Sequence, residues 1–221
     1  MIELKNLTVR INGKILLNDI NFSLDKNQIL CLLGKNGSGK STLLRTILGN
    51  LDYAGSCKVK GVENSTLCEK KRAQMMSYVP QNSHIIFPFT LLEVVLMGKF
   101  AKSSLFSYSK AQKDEARAIL EKFNIAHLAN RLFYSLSGGE KQLGLIANFK
   151  DKTIILSSHF PEQCFIADKI LMIKNGEIFK FASQKECLQE PFINALYDIN
   201  TQAAPLPNKA IYFCPCKKTS L

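Results

Sequence analysis

Apolar and polar positions alternate through the opening stretch MIELKNLTVRI, with Ile2, Leu4, Leu7, Val9 and Ile11 on the apolar side. Asn12-Gly13 makes a tight turn, after which KILLNDINFSL resumes the alternation. A period of two around a two-residue Asn-Gly turn predicts an antiparallel β-meander with one wet face. QILCLL then breaks the alternation as a continuous apolar run, the pattern of a strand buried on both faces. A glycine-rich loop follows, and KSTLLRTILG reads as a helix stopped by Gly49-Asn50.

Farther on, MMSYVP predicts a second strand closed by Pro80. From about residue 90 to 130 the period changes: TLLEVVLMGKF and SKAQKDEARAILEKFNIAHLA carry apolar residues at helical spacing with charges between. SLSGGEKQLGLIANF opens another helix, with Ser137 as N-cap and Glu140 three residues on as its capping-box partner. TIILSS is a short buried strand, Pro161 to Ala167 an amphipathic helix, and KILMIKNGEIFKFA a hairpin turning at Asn175-Gly176. A last helix near 183–197 precedes a Pro/Lys/Cys tail that reads as loosely ordered.

With 46% hydrophobic and 21% charged residues, the composition is that of a globular chain. No apolar run approaches the ~18 residues of a membrane span, and Ile29–Leu33 is far too short. Glu3 and Lys5 inside a strand pattern are unlike a signal peptide. Any membrane part is therefore expected on another chain. The seven cysteines show no pairing spacing and read as reduced thiols; Cys214 and Cys216 would supply only two ligands to a metal. The net charge of +11 favours acidic partners, but the lysines are dispersed and form no run typical of a nucleic-acid arm, so none is expected.

GKNGSGKS, from Gly34 to Ser41, fits G-x-x-x-x-G-K-[S/T] in full, between a buried strand and a helix. Gly34, Gly37 and Gly39 let the backbone curl so that its N–H groups point inward around a phosphate. The helix beginning near Lys40 adds the positive end of its dipole. Lys40 is placed to reach β- and γ-phosphate oxygens, and Ser41 to ligate Mg²⁺. Lys35, Asn36, Ser38 and Thr42 complete the expected binding stretch.

Leu136 to Glu140 reads LSGGE, offering the Ser137 hydroxyl and the N–H groups of Gly138, Gly139 and Glu140 to a second anion at a helix N-terminus. With the phosphate loop, this motif makes the chain resemble the ATP-binding subunits of ABC proteins from residue 1 to about 197. The resemblance implies an α/β P-loop NTPase: a RecA-like parallel sheet, an antiparallel β-subdomain and a helical subdomain. Its expected parts are 1–86, 87–147 and 148–200, with a tail at 201–221. It implies ATP and Mg²⁺ as cofactors, held head to tail between the P-loop of one copy and the signature of another. Gln81 in YVPQ matches the glutamine that meets Mg²⁺ or the attacking water, and His159 in LSSH the switch histidine at the γ-phosphate. Ile11 stands where the family usually places an aromatic against adenine. FPFTLLEVVLMGK, residues 87–99, resembles importers of ferric siderophores, haem and cobalamin. That implies transmembrane permease subunits, a solute-binding protein acting through them, and a place on the cytoplasmic membrane face.

The chain also departs from this family. GLIANFKDK runs directly into TIILSSH, so a few dozen residues are absent where a strand ending in Asp-Glu and a following loop should stand. The sheet is expected to be one strand short, or filled by TIIL. In the second case Ser157 and Ser158 would occupy the acidic positions. Asp151 lies at the wrong end of its strand to substitute. Hydrolysis is therefore in doubt. The leading expectation is an importer's energy-coupling subunit; the alternatives are a truncated or regulatory subunit that binds without turnover, and a DNA-associated ABC ATPase.

Overall fold

The computed structural model describes residues 1–76, 88–99, 108–147, 153–205 and 211–215. Two compact units emerge: Met1–Tyr78 with Thr153–Leu221, and Val79–Lys152.

In the first unit β1 (Ile2–Ile11) and β2 (Lys14–Leu24) form the expected hairpin. β3 (Ile29–Leu33) leads through the glycine loop into α1 (Lys40–Ile47). β4 (Ala54–Val59) and β5 (Val62–Glu63) extend the hairpin into an antiparallel sheet of order β2-β1-β4-β5. α2 (Glu69–Met75) comes next. A second sheet has the order β6-β3-β7-β8, from β6 (Ile154–Ser158), β7 (Lys169–Lys174) and β8 (Glu177–Ser183). β3 runs parallel to both β6 and β7, while β7 and β8 are antiparallel. α6 (Gln184–Cys187) and α7 (Glu190–Tyr197) follow, then β9 (Thr201–Pro205) paired with β10 (Ile211–Pro215).

One core joins the two sheets and α1: Leu4, Leu7, Val9 and Leu17 from the antiparallel sheet meet Leu30, Leu32, Leu171 and Ile173 from the parallel one, with Leu43 and Ile47 of α1. The alternation of β1 thus delivers one face to this core. The uninterrupted run of β3 is explained by burial of every residue from Leu30 to Leu33. Among the described residues β6 has β3 on one side only, and its Ile154 and Ile155 are half-buried rather than enclosed.

In the second unit α3 (Leu91–Lys99), α4 (Lys110–Lys122) and α5 (Gly138–Ala147) surround Leu91, Val95, Ile119, Leu120, Phe133 and Leu136. Ser109 caps α4 in a capping box with Gln112. A Cβ on Gly144 would press into Leu91, so the glycine sets how closely α5 approaches α3.

Four local expectations need correction. Met75 ends α2 instead of starting a strand: EKKRAQM is made of helix formers, and Arg72 locks it by donating to Asn64 and to the Leu67 carbonyl. Residues 77–80 of that segment lie outside the described residues. Pro161–Ile166 is a 3-10 helix, not an α-helix. The last helix is two, because Pro191 starts a new helix after the Leu188–Gln189 break. The tail is not loose throughout, since β9 and β10 pair from Thr201↔Pro215 to Pro205↔Ile211.

Candidate functional site

Gly34 follows the buried end of β3, and the loop turns back through the Ser38 N–H, which donates to the Lys35 carbonyl at 3.2 Å. Neighbouring elements hold the loop in place. The Gly176 N–H donates to the Ser38 carbonyl at 3.0 Å, and the Asn18 N–H to the Gly176 carbonyl at 2.9 Å. Two glycines are required here. A Cβ on Gly34 would collide with the Ile173 carbonyl and the Ser38 hydroxyl. Gly39 stands at φ +112° and closes onto Leu17 and the Leu16 carbonyl.

Lys40 begins α1 and folds back over the loop. Its ammonium donates to the carbonyls of Gly34 at 2.6 Å and Lys35 at 2.7 Å. Burial holds its pKa below the ordinary lysine value. Ser38 Oγ is buried beside it without a hydrogen-bond partner. Ser41 is exposed on the first turn of α1, and Thr42 is half-buried. A half-buried cation whose hydrogen bonds among the described residues go to neutral carbonyls, in one loop with an orphaned hydroxyl and a helix N-terminus, has the chemistry to receive an anion. A nucleotide's phosphates fit that donor set, and the Ser41 hydroxyl is a hard oxygen suited to Mg²⁺.

His159 lies at the same end of the sheet. β3 and β6 are paired up to Leu33↔Ser158, so Gly34 and His159 are the next residues on adjacent parallel strands. The His159 ring packs on Phe160, with centroids 4.0 Å apart, and its carbonyl accepts from the Tyr197 hydroxyl at 2.9 Å. Ser158 turns inward to donate to Gln163 Oε1 at 2.6 Å.

Two further residues reach this site that sequence reasoning missed. Asp198, in the left-handed conformation after α7, accepts from Lys35 and Lys174, each at 2.7 Å. Lys174 and Lys35 hold its carboxyl down at about 2. Tyr197 and Asp198 are separated from their partners by so much chain that no spacing announces them; only the fold brings them in.

Ile11 closes β1 opposite Lys14 and packs partly against the core. Gln81 lies outside the described residues. In the second unit the Ser137 N–H donates to Glu140 at 2.7 Å, and the Glu140 N–H to the Ser137 hydroxyl at 3.4 Å, giving the expected capping box. The Ser137 N–H, and after it the Ser137 hydroxyl, hold the Glu140 carboxyl below its usual range. Ser137 and Gly138 are exposed, so the start of α5 is open to a ligand.

The ABC transporter family profile matches residues 17–155, well over half the chain. The chain belongs to the ABC transporter family. It is 36% identical over 203 residues to an uncharacterized ABC transporter ATP-binding protein of Haemophilus influenzae, covering 87% of this chain and 77% of that protein. It is 28% identical to a Helicobacter pylori protein named for iron chelatin transport, across 96% of this chain and 99% of that protein. That alignment runs over 252 positions, more than the 221 residues available here, so a stretch of the relative has no counterpart in this chain. A hemin import ATP-binding protein, HmuV, of Chelativorans is 39% identical over 144 residues, about half its length at 53%. Among solved structures, a metal-chelate type ABC transporter in an inward-facing conformation superposes with a TM-score of 0.56 at 26% identity, covering 99% of this chain and 98% of that one. The fold is that of an ABC ATPase, with its P-loop core and its antiparallel and helical parts. Among the described residues no helix is long and apolar enough to cross a membrane.

Proposed function

We propose that this ABC-family chain is the ATP-binding, energy-coupling subunit of an importer for iron complexes such as siderophores or haem, or for cobalamin. Gly34 to Thr42 would hold the phosphates of ATP, and Ser137 to Glu140 of a second copy would close on them. Ser41, with Gln81, would hold Mg²⁺, which supplies charge neutralisation at the phosphate oxygens. Lys40 would exchange its two loop carbonyls for phosphate oxygens, relieving the cost of burying its charge. His159 would meet the terminal phosphate, and Ile11 the base. The permease subunits, and through them a solute-binding protein, would place the chain at the cytoplasmic membrane face; no nucleic-acid partner is proposed.

The observation that carries the reading is the Lys40 ammonium turned into the Gly34–Ser41 loop. The solute class is supported by relatives named for iron chelatin and hemin import. Turnover by this chain is proposed to be slow. The carboxyl end of β6, beside the P-loop strand, carries Ser157, Ser158 and His159, and a serine cannot serve as a base near neutral pH. Calorimetry with ATP-Mg²⁺, then phosphate release from chain reconstituted with its permease, tests both halves. Absence of ATP binding would remove the first, and rapid permease-stimulated release the second.

A further inference from the structure

Cys31 and Cys164 are 133 positions apart in the chain, yet the fold brings their sulfurs to 2.6 Å. Cys31 lies in the middle of β3, which delivers Gly34 to the phosphate loop. Cys164 lies in the 3-10 segment Pro161–Ile166, which Phe160 joins to His159. Both are wholly buried. Both are free thiols, in keeping with the reading of the cysteines as reduced; spacing along the chain showed neither a partner, and a parallel crossover supplies one. A disulfide needs sulfurs at ~2.05 Å on side chains that already point at each other, so a small approach suffices.

We propose that Cys31 and Cys164 form an intrachain disulfide site, closed by exchange with a small-molecule disulfide and reopened by a dithiol, that clips the P-loop strand to the His159 segment. The chemistry balances in two exchanges. One cysteine thiolate attacks a sulfur of the small disulfide, forming a mixed disulfide and releasing one small thiol. The second cysteine thiolate attacks the protein-side sulfur, forming the Cys31–Cys164 bond and releasing the second small thiol. Two protein thiols are oxidised, the small disulfide is reduced, and the two protons pass to the departing thiols.

Burial controls when this happens. Neither sulfur meets solvent, and desolvation pushes the Cys164 thiol well above its ordinary range, so thiolate is scarce in the closed fold. Exchange therefore goes through folding, or through local opening of the short 3-10 segment, on which β10 packs. Once closed, the bond restrains the backbone that places His159 beside Gly34, and it encloses a loop containing the entire second unit.

The test uses the full chain refolded from denaturant in a glutathione redox buffer, which removes the barrier of access, against a parallel sample refolded in dithiothreitol. Non-reducing peptide mapping should give one cross-linked pair, containing Cys31 and Cys164 and lighter by two hydrogens. Thiol titration after denaturation should fall by two. The thermal transition should rise by about 10 °C, as expected for closing so long a loop in a chain of this size, and dithiothreitol should reverse the shift. Cys31→Ala should abolish both the link and the shift; if that variant does not fold, mapping of the parent chain decides. Retention of all seven thiols, predominant linkage of other cysteines, or a Cys31–Cys164 link with no higher transition would each overturn the proposal.

Discussion

The Tyr197 hydroxyl donates to the His159 carbonyl oxygen at 2.9 Å, tying the end of α7 to the residue that leaves β6. Burial raises the phenol's pKa above its ordinary value, so it stays a donor throughout the working range. Tyr197→Phe keeps the ring and leaves the carbonyl unpaired, a loss of about 1–3 kcal/mol. Thermal denaturation should show a transition lower by roughly 2–4 °C per kcal/mol. An unchanged transition would mean that the bond adds nothing to stability.

Asp198 gathers Lys35 from the phosphate loop and Lys174 from β7, and these cations depress its carboxyl from 3.8 to about 2. A carboxylate depressed on folding contributes stability fully above its unfolded pKa and loses it as pH falls through the folded one. Asp198→Asn should therefore destabilise the chain at pH 7, with the difference from the parent shrinking between about pH 4 and pH 2. Because the group is exposed, the effect should also shrink in high salt. Equilibrium unfolding against pH and ionic strength checks it; a difference independent of both would assign the loss to packing.

Gly39→Ala places a methyl group at φ +112° against Leu17 and the Leu16 backbone. Strain at such a position costs on the order of 1–3 kcal/mol, and Leu17 belongs to the wholly buried core. Gly37→Ala, also at positive φ but with open space around it, carries the conformational cost without the collision. Urea denaturation should rank Gly39→Ala as the more damaging of the two. The reverse order would show that the close approach to β2 is easily relaxed.

Much of this loop was legible because its chemistry is local. The glycine spacing, the lysine and the flanking strand and helix stand within one short stretch. The Asn12-Gly13 and Asn175-Gly176 turns were legible for the same reason, and all four residues take positive φ. The stop of α1 was equally local: the Asn50 N–H reaches the Arg45 carbonyl at 2.8 Å around Gly49 at φ +76°. What stayed hidden depends on chain crossing. Cys31 meets Cys164, Lys35 meets Asp198 and Tyr197 meets His159 only because a parallel sheet brings distant segments side by side. The polar pattern of α2 carried no hydrophobic period to announce a helix, and Met75-Met76 imitated the start of a strand. The pairing of β9 with β10 was obscured by prolines and lysines that read as a loose end.

Lys40→Ala removes the cation that now rests on the Gly34 and Lys35 carbonyls. If phosphate oxygens replace those carbonyls, the lost charged hydrogen bonds amount to about 1.5–3 kcal/mol, or roughly 10- to 150-fold in ATP-Mg²⁺ affinity. Calorimetry on parent and variant measures the ratio. Equal affinities would move the nucleotide away from this loop.

Turnover calls for more than phosphate binding. Phosphoryl transfer to water needs the nucleotide positioned and the water oriented. Lys40 and Ser41 can serve the first requirement, and no carboxylate stands among Ser157, Ser158 and His159 at the carboxyl end of β6 to serve the second. Loss of general-base help costs ~10²–10⁴ in rate, about 3–5 kcal/mol of barrier. Among the described residues β6 is the edge of its sheet, with Ile154 and Ile155 only half-buried, and its outer backbone groups are where a further strand would pair. Inserting a hydrophobic strand ending in Asp-Glu, with its following loop, between Asn148 and Asp151 should therefore raise both stability and hydrolysis. The parent should bind ATP-Mg²⁺ and gain thermal stability from it by linkage while releasing little phosphate. Phosphate release from parent, insertion variant and the insertion variant carrying Lys40→Ala separates the possibilities. The expected order is low, high and low. Fast release by the parent that Lys40→Ala abolishes would overturn the prediction, and the water would then have to be oriented by a group other than a strand-end carboxylate.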